Sequence, residues 1–328
     1  MKITAIVPTY LRPTYLFKCL NGFKKQFRLA DEILVIVRES DNLTWEFLEK
    51  FDFESLPIKV ITVKVTGVVA AMNLGLDFAR GDIVCFIDDD AVPHNDWLAK
   101  IEAYFLADPK LVGLGGRDCM YLGEERLVAP QKPIVGKLQW FGRMIANHHL
   151  GVGKPREVDF LKGVNMSYRR QAIANMHFDE RMKGTGAQAH FEVSFCLSLK
   201  RAGYKLIYDP DLVVDHYLAQ RFDEDLRDGF NPAAFFNEVH NETLAIVEHF
   251  SHLRRILFLT WAMLVGTRKA FGLVQLIRFL PREGKLAVVK WLLSIKGRKA
   301  GCLSWLKSDS SKFGNNSFGN NSSVETRQ

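Results

Sequence analysis

Apolar positions along the chain alternate between two spacings. Ile3 to Val7 is nearly uninterrupted apolar sequence ending at Pro8-Thr9-Tyr10, the pattern of a strand buried on both faces. Tyr15, Leu16, Cys19, Leu20 and Phe23 then recur at helical spacing, after Leu11-Arg12-Pro13-Thr14. Ile33 to Val37 and Ile58 to Val63 again read as strands. Gly67 opens a helix through Val68, Val69, Met72, Leu76 and Ala79, closed by Arg80-Gly81. Ile83 to Ile87 is the next strand. Strand-helix-strand units cross over right-handed, so this order predicts an α/β fold with a Rossmann-like, mostly parallel central sheet flanked by helices. In such a sheet Pro8, Asp41 and Asp88 fall near one edge, at the carboxyl ends of the strands, where ligands bind.

Farther along, Asp96 to Leu106 is an amphipathic helix and Leu111 to Gly116 a strand. Tyr121 to Gly153 carries Pro and Gly punctuation and reads as a loop-rich insertion. Its adjacent His148 and His149 cannot face the same way on regular structure, which favours a surface role over a metal site. Val158 to Leu161 resumes strand character. A helix runs from about Glu192 to Gly203, and Leu206 to Tyr208 and Leu212 to Val214 read as two short strands, the second delivering Asp215-His216-Tyr217.

Chemistry concentrates at Asp88-Asp89-Asp90. Three adjacent carboxylates repel one another unless a cation sits among them, and hard oxygen ligands suit Mg²⁺ or Mn²⁺ shared with substrate phosphates. The five cysteines are scattered and mostly embedded in apolar runs, which argues against a disulfide framework or a zinc site and fits a reducing cytosol. The start at Met1-Lys2-Ile3 enters a strand directly, without the pattern of a signal peptide, so export is not expected. Charge is uneven. Residues 251–307 carry twelve Lys and Arg against the single acid Glu283, in a chain whose net charge is +7. The neutral run Ile256 to Thr267 is too short to span a bilayer, which needs about 20 apolar residues. Interleaved Trp261, Phe271, Phe279 and Trp291 suit helices lying against anionic lipid headgroups, the alternative being an ordinary bundle that covers the sheet. The spacing matches no nucleic-acid reader. Residues 308–328, with their repeated Phe-Gly-Asn-Asn-Ser, are expected to be disordered.

Six stretches in order carry a resemblance: Val7-Pro8-Thr9-Tyr10, Met72-Asn73-Leu74-Gly75, Gly81-Asp82 to Asp90, Gly163 to Arg170, Glu192 with the helix Leu197 to Gly203, and Asp209-Pro210 to His216. Together they resemble the family 2 glycosyltransferases, inverting enzymes that use nucleotide sugars on a GT-A fold. The resemblance covers roughly the first two thirds of the chain. It implies that Pro8, Thr9, Tyr10, Arg12, Asp41, Asn73 and Asp89 form the nucleotide-sugar pocket. It further implies that Asp88 and Asp90, as an acid-x-acid motif, hold a divalent metal with His216, and that Glu192 is the general base. The partners it implies are a nucleotide-diphosphate sugar donor and a hydroxyl acceptor, with no nucleic acid. An anionic membrane surface would suit an acceptor that is lipid-linked, with the enzyme peripheral on the cytoplasmic face of the cell membrane. The organisation expected is a catalytic domain over 1–220, a basic aromatic helical region over 221–307 and a tail over 308–328.

Several positions depart from the family pattern. Val37-Arg38-Glu39 stands where paired aspartates and a glycine are common, leaving Asp41 as the base-contacting candidate, and Met72 replaces a usual arginine. The Gln-x-x-Arg-Trp motif of processive synthases is absent, so a single-sugar transferase is expected. Two other readings are a nucleotide-sugar binder without catalysis and a haloacid-dehalogenase-like phosphatase. The latter matches Asp88 to Val92 but places that motif on the first strand.

Overall fold

The computed structural model describes residues 1–53, 56–224 and 229–314, with side chains described up to 307. Its strands are β1 (Ile3–Thr9), β2 (Glu32–Arg38), β3 (Ile58–Val63), β4 (Ile83–Phe86), β5 (Ala91–Pro93), β6 (Gly113–Leu122), β7 (Glu125–Arg126), β8 (Lys137–Leu138), β9 (Met144–Ile145), β10 (Arg156–Val158), β11 (Met166–Arg169) and β12 (Leu206–Tyr217). Its α-helices are α1 (Pro13–Lys24), α2 (Asn42–Lys50), α3 (Val68–Phe78), α4 (Trp97–Ala107), α5 (Arg170–Ile173), α6 (Phe191–Arg201), α7 (Pro232–His249), α8 (His252–Leu264), α9 (Leu273–Glu283) and α10 (Lys285–Gly314).

One sheet organises the molecule, in the order β10-β12-β6-β11-β4-β1-β2-β3. β1 pairs in parallel with both β2 and β4, and β2 with β3. β11 enters antiparallel between β4 and β6, while β6 and β12 are parallel. The period-2 alternation of side chains sorts the apolar residues onto two faces. Ile3, Ala5, Val7, Ile33, Val35, Ile83 and Cys85 pack beneath α1 and α4. Ile6, Leu34, Ile36, Val84 and Phe86 pack on the other side with residues of α3, α6 and α7. The core is therefore a sheet between two helical layers.

The helix α2 escaped the sequence reading because it buries little, only Thr44 and Leu48. Its start is fixed by Asp41, whose Oδ1 accepts from the Thr44 amide at 3.0 Å. The two short strands expected around Asp209 are one strand, β12, whose register against β6 shifts between Asp209 and Val213. Pro210 lacks an N–H to keep the ladder regular there. Opposite the shift, a Cβ on Gly116 would lie 1.8 Å from the Leu212 carbonyl oxygen, so only glycine admits that approach. His148 is buried, contrary to its expected surface role. Its Nε2 lies 3.1 Å from the Phe160 carbonyl oxygen, and its ring packs against Phe160 and Tyr208.

Residues 221–307 are not a separate layer throughout. Leu244 and Ala245 of α7 share a core cluster with Phe86 and Met166 of the sheet. α10 packs on α7 through Arg298, which is almost fully buried and lies 2.6 Å from Glu242. The helix α10 continues to Gly314, past the boundary expected at Ser308, and residues 315–328 lie outside the described ones. The five cysteines are free, four of them buried.

Candidate active site

The acidic turn is positioned by the strand before it and by the strand pair after it. β4 ends at Phe86, so Asp88 to Asp90 emerge at the carboxyl edge of the sheet. β5 follows at once, and its antiparallel pairing with β12 sets Ala91 opposite His216. That register brings the imidazole to the carboxylates: His216 Nε2 lies 3.4 Å from Asp90 Oδ1, and Nδ1 lies 3.4 Å from Asp118 Oδ2. Because β1 neighbours β4, the turn into α1 faces the same edge. Arg12 there places Nη2 2.6 Å from Asp89 Oδ1 and Nη1 3.0 Å from Asp90 Oδ2. Thr9 donates its hydroxyl to Asp89 Oδ2 at 2.7 Å.

Burial sets the electrostatics. Loss of water pushes the Asp89 carboxyl up to about 7, against the pull of Arg12. Asp88 is raised too, first by burial and then by the charge of Asp90. For His216 burial acts downward, but hydrogen bonding to Asp118 and Asp90 overrides it and lifts the imidazole to about 9. Asp118, fully buried, is held well below the usual carboxylate range because Lys162 and His216 outweigh its burial. Glu192 stands in the first turn of α6, is raised by burial, and its Oε2 has no hydrogen-bond partner among the described residues.

The donor set fits a divalent cation. Asp88, Asp90 and His216 each offer one ligand atom, and these atoms all lie within 4.8 Å of one another. The two carboxylate oxygens suit Mn²⁺ or Mg²⁺, and the imidazole nitrogen favours the softer Mn²⁺ of the two. The crowded carboxylates, disfavoured as anions by burial, are what such an ion would neutralise.

A cavity of about 440 Å³ opens over this turn. It is lined by Pro8, Thr9, Tyr10, Arg12, Asp88, Asp90, Glu192 and His216, so the structure brings most of the expected site residues together. Three lie elsewhere. Asp89 is fully buried against Arg12 and Thr9. Asn73 is buried, with its amide exchanging hydrogen bonds with the Phe178 backbone at 3.0 and 2.8 Å. Asp41 is buried as the α2 cap, and its other oxygen accepts from the Leu11 amide at 2.6 Å. Asp41 and Asn73 thus hold neighbouring backbone in place rather than line the cavity.

Residues that the sequence reading did not name individually as site residues also line the cavity. Arg38 stacks on the Tyr10 ring at 3.7 Å and donates to the Thr185 carbonyl oxygen, tying β2 to the loop before α6. Lys162 lines the cavity while paired with Asp118. Gln188 accepts from the Val69 amide and donates to the Met182 carbonyl oxygen, at 3.0 and 2.7 Å. Its backbone and that of His190 have positive φ, 40° and 73°, strain of the kind that collects at functional sites. Of this group only Lys162, which stands immediately before the Gly163 to Arg170 stretch, had a signal in the sequence that could have singled it out.

Comparison with known proteins identifies the family and the fold. The model of glycosyl transferase family 2 matches residues 4–176, more than half of the chain. The amylovoran biosynthesis glycosyltransferase AmsB of Erwinia amylovora is 23% identical over 234 residues, covering 68% of this chain and 71% of its own. Glycosyltransferase AglE of Haloferax volcanii is 31% identical over 102 residues, 30% of this chain and only 33% of AglE. Among solved structures, S. aureus TarS 1-349 in complex with UDP-GlcNAc superimposes with a TM-score of 0.60 at 16% identity, covering 96% of this chain and 92% of that one. Mannosyltransferase PcManGT of Pyrobaculum calidifontis, solved with GDP-Man and Mn²⁺, gives 0.55 at 17% identity, covering 94% and 87%. These likenesses establish the GT-A fold. The acidic motif ends the fourth strand of the sheet rather than the first, which sets the phosphatase reading aside. The chain belongs to glycosyl transferase family 2, and is a glycosyltransferase by that membership.

Proposed function

We propose that the protein transfers a single sugar from a nucleotide-diphosphate donor to a hydroxyl acceptor, with inversion and with a divalent metal. The observation that carries this reading is the convergence of Asp88, Asp90, His216, Arg12 and Glu192 on one cavity. Asp88, Asp90 and His216 would hold the ion, which when bound supplies neutralising charge to the departing diphosphate. Arg12 and Lys162 add fixed positive charge beside it. Pro8, Thr9 and Tyr10 form the adjoining wall, where the nucleoside would lie, with Arg38 backing Tyr10. Glu192 takes the proton of the acceptor hydroxyl as that oxygen attacks the anomeric carbon from the face opposite the diphosphate. The new C–O bond forms as the bond to the diphosphate oxygen breaks, so one displacement inverts the centre.

The named role of AmsB in amylovoran biosynthesis supports a place in cell-surface polysaccharide or glycolipid synthesis. A lipid-linked acceptor at the cytoplasmic face of the membrane suits the basic charge of residues 251–307. Among the described residues no helix is long and apolar enough to cross a membrane, so attachment there would be peripheral. The test is a panel of nucleotide sugars assayed with Mg²⁺ or Mn²⁺ and a hydroxyl acceptor, with the anomeric configuration of the product read by NMR. Retained configuration would refute single displacement.

A further inference from the structure

The helix α9 is amphipathic in the wrong sense for a helix that covers a core. Its apolar residues Leu273, Val274, Ile277 and Leu280 share one face, and they are 43%, 48%, 64% and 45% exposed. No residue of α9 is buried. The half-buried side of the helix is mixed: Gln275, Leu276, Phe279 and Glu283 turn inward, with Phe279 against the Phe271 ring at 5.3 Å and Glu283 paired with Lys290 of α10 at 2.7 Å, while Arg278 and Arg282 are exposed beside the apolar stripe. Neighbouring helices continue the pattern. Leu253, Ile256 and Leu264 of α8 are exposed. On the first half of α10, exposed Val288, Val289 and Leu292 are flanked by exposed Lys285 on one side and by Lys296 and Lys299 on the other.

We propose that the outward apolar stripe of α9, continued by α8 and the first half of α10, is a membrane-docking surface that lies in the headgroup layer of an anionic bilayer. It gives a docking element to the membrane-side location proposed above, and none of the catalytic roles enters it. Charge chooses the occupant. Residues 251–307 carry twelve cations and one acid. A second copy of the chain would bring the same positive charge against it, and like charges across an interface disfavour pairing. Anionic headgroups are complementary to it. Lysines and arginines beside an apolar stripe can lay their stems along acyl chains while their charged ends stay among the headgroups. At ~1.5 Å per residue the eleven residues of α9 are about 16 Å long, half a hydrocarbon core, so the helix lies in the interface rather than across it.

The experiment is co-sedimentation of the full chain with vesicles of phosphatidylcholine alone and with increasing phosphatidylglycerol. Binding should rise with anionic content and fall with salt. The double variant Leu273→Asp/Ile277→Asp alters only exposed side chains. It should keep its circular dichroism and its turnover of a water-soluble acceptor, yet lose vesicle partitioning by about tenfold or more. Arg278→Gln/Arg282→Gln should weaken binding by about five-fold per charge removed, with a shallower salt dependence. Unchanged partitioning of the Asp variant would overturn the proposal. So would a wild-type dimer in sedimentation equilibrium that this variant dissociates without affecting vesicle binding. If wild-type protein binds vesicles as described but turns over no donor, the catalytic reading fails and the docking surface stands.

Discussion

Arg12 bridges Asp89 and Asp90 and so supplies, within the chain, part of the positive charge that the acidic turn requires. This separates the three aspartates by role. Asp89 is the buried anchor of Arg12, Asp90 is shared between Arg12 and the proposed ion, and at Asp88 burial and the charge of Asp90 outweigh the opposing pull of His216, Arg12 and Arg221. Asp88→Asn should therefore leave the metal-free protein as stable as before, or more so, while weakening Mn²⁺ binding by at least about tenfold. Calorimetric titration with Mn²⁺ and thermal melts in chelator check both halves. A lowered melting temperature would mean that Asp88 is a structural cap. Glu192 is subject to a sharper constraint. A base works only as its anion, and burial raises its pKa, so activity should fall on acidification through a pH above the ordinary carboxylate range of ~4.3. Glu192→Gln should cut turnover by about 10²–10⁴-fold with donor affinity retained. A kcat profile whose acid limb sits at the ordinary carboxylate value would contradict the buried-base account.

At the scale of elements, the sheet was legible in the sequence because strands buried on both faces leave uninterrupted apolar runs, as in Ile33 to Val37 and Ile83 to Ile87. Elements held by polar contacts left no such trace. The helix α2 depends on the cap by Asp41, and the path of β12 depends on Asn165, which donates to the Leu212 carbonyl oxygen and accepts from Trp97. The family resemblance put Asn73 and Asp41 at the nucleotide. Their types suit ligand contact, and only the structure shows their hydrogen-bonding groups engaged with Phe178, Thr44 and Leu11. The α7–α10 packing, hidden in a segment dominated by basic charge, turns on Arg298. Arg298→Met would leave Glu242 buried without its partner, at a cost of about 3–5 kcal/mol in urea unfolding. Adding Glu242→Leu should recover most of that loss. A loss below about 1 kcal/mol for the single variant would show that the pair is not what joins these helices.

On the scale of the whole molecule, one face of the sheet edge gathers the chemistry and a separate run of helices gathers the basic apolar surface. The site was legible where chemistry is written in adjacent residues, as in Asp88 to Asp90. It was opaque where distant segments meet, as with Arg38 on Tyr10, Lys162 on Asp118, or Gln188 on the start of α3. Those contacts are set by crossovers that no local spacing records. The central claim is that this cavity performs metal-dependent sugar transfer with Glu192 as its base. The most direct measurement is donor binding and turnover across a set of nucleotide sugars, in Mn²⁺ and in chelator, for the wild-type chain and Glu192→Gln. The account predicts at least one donor bound and turned over only with metal, and a variant that binds this donor but does not transfer it. Turnover that survives chelator, or a Glu192→Gln variant as fast as wild type, would contradict it.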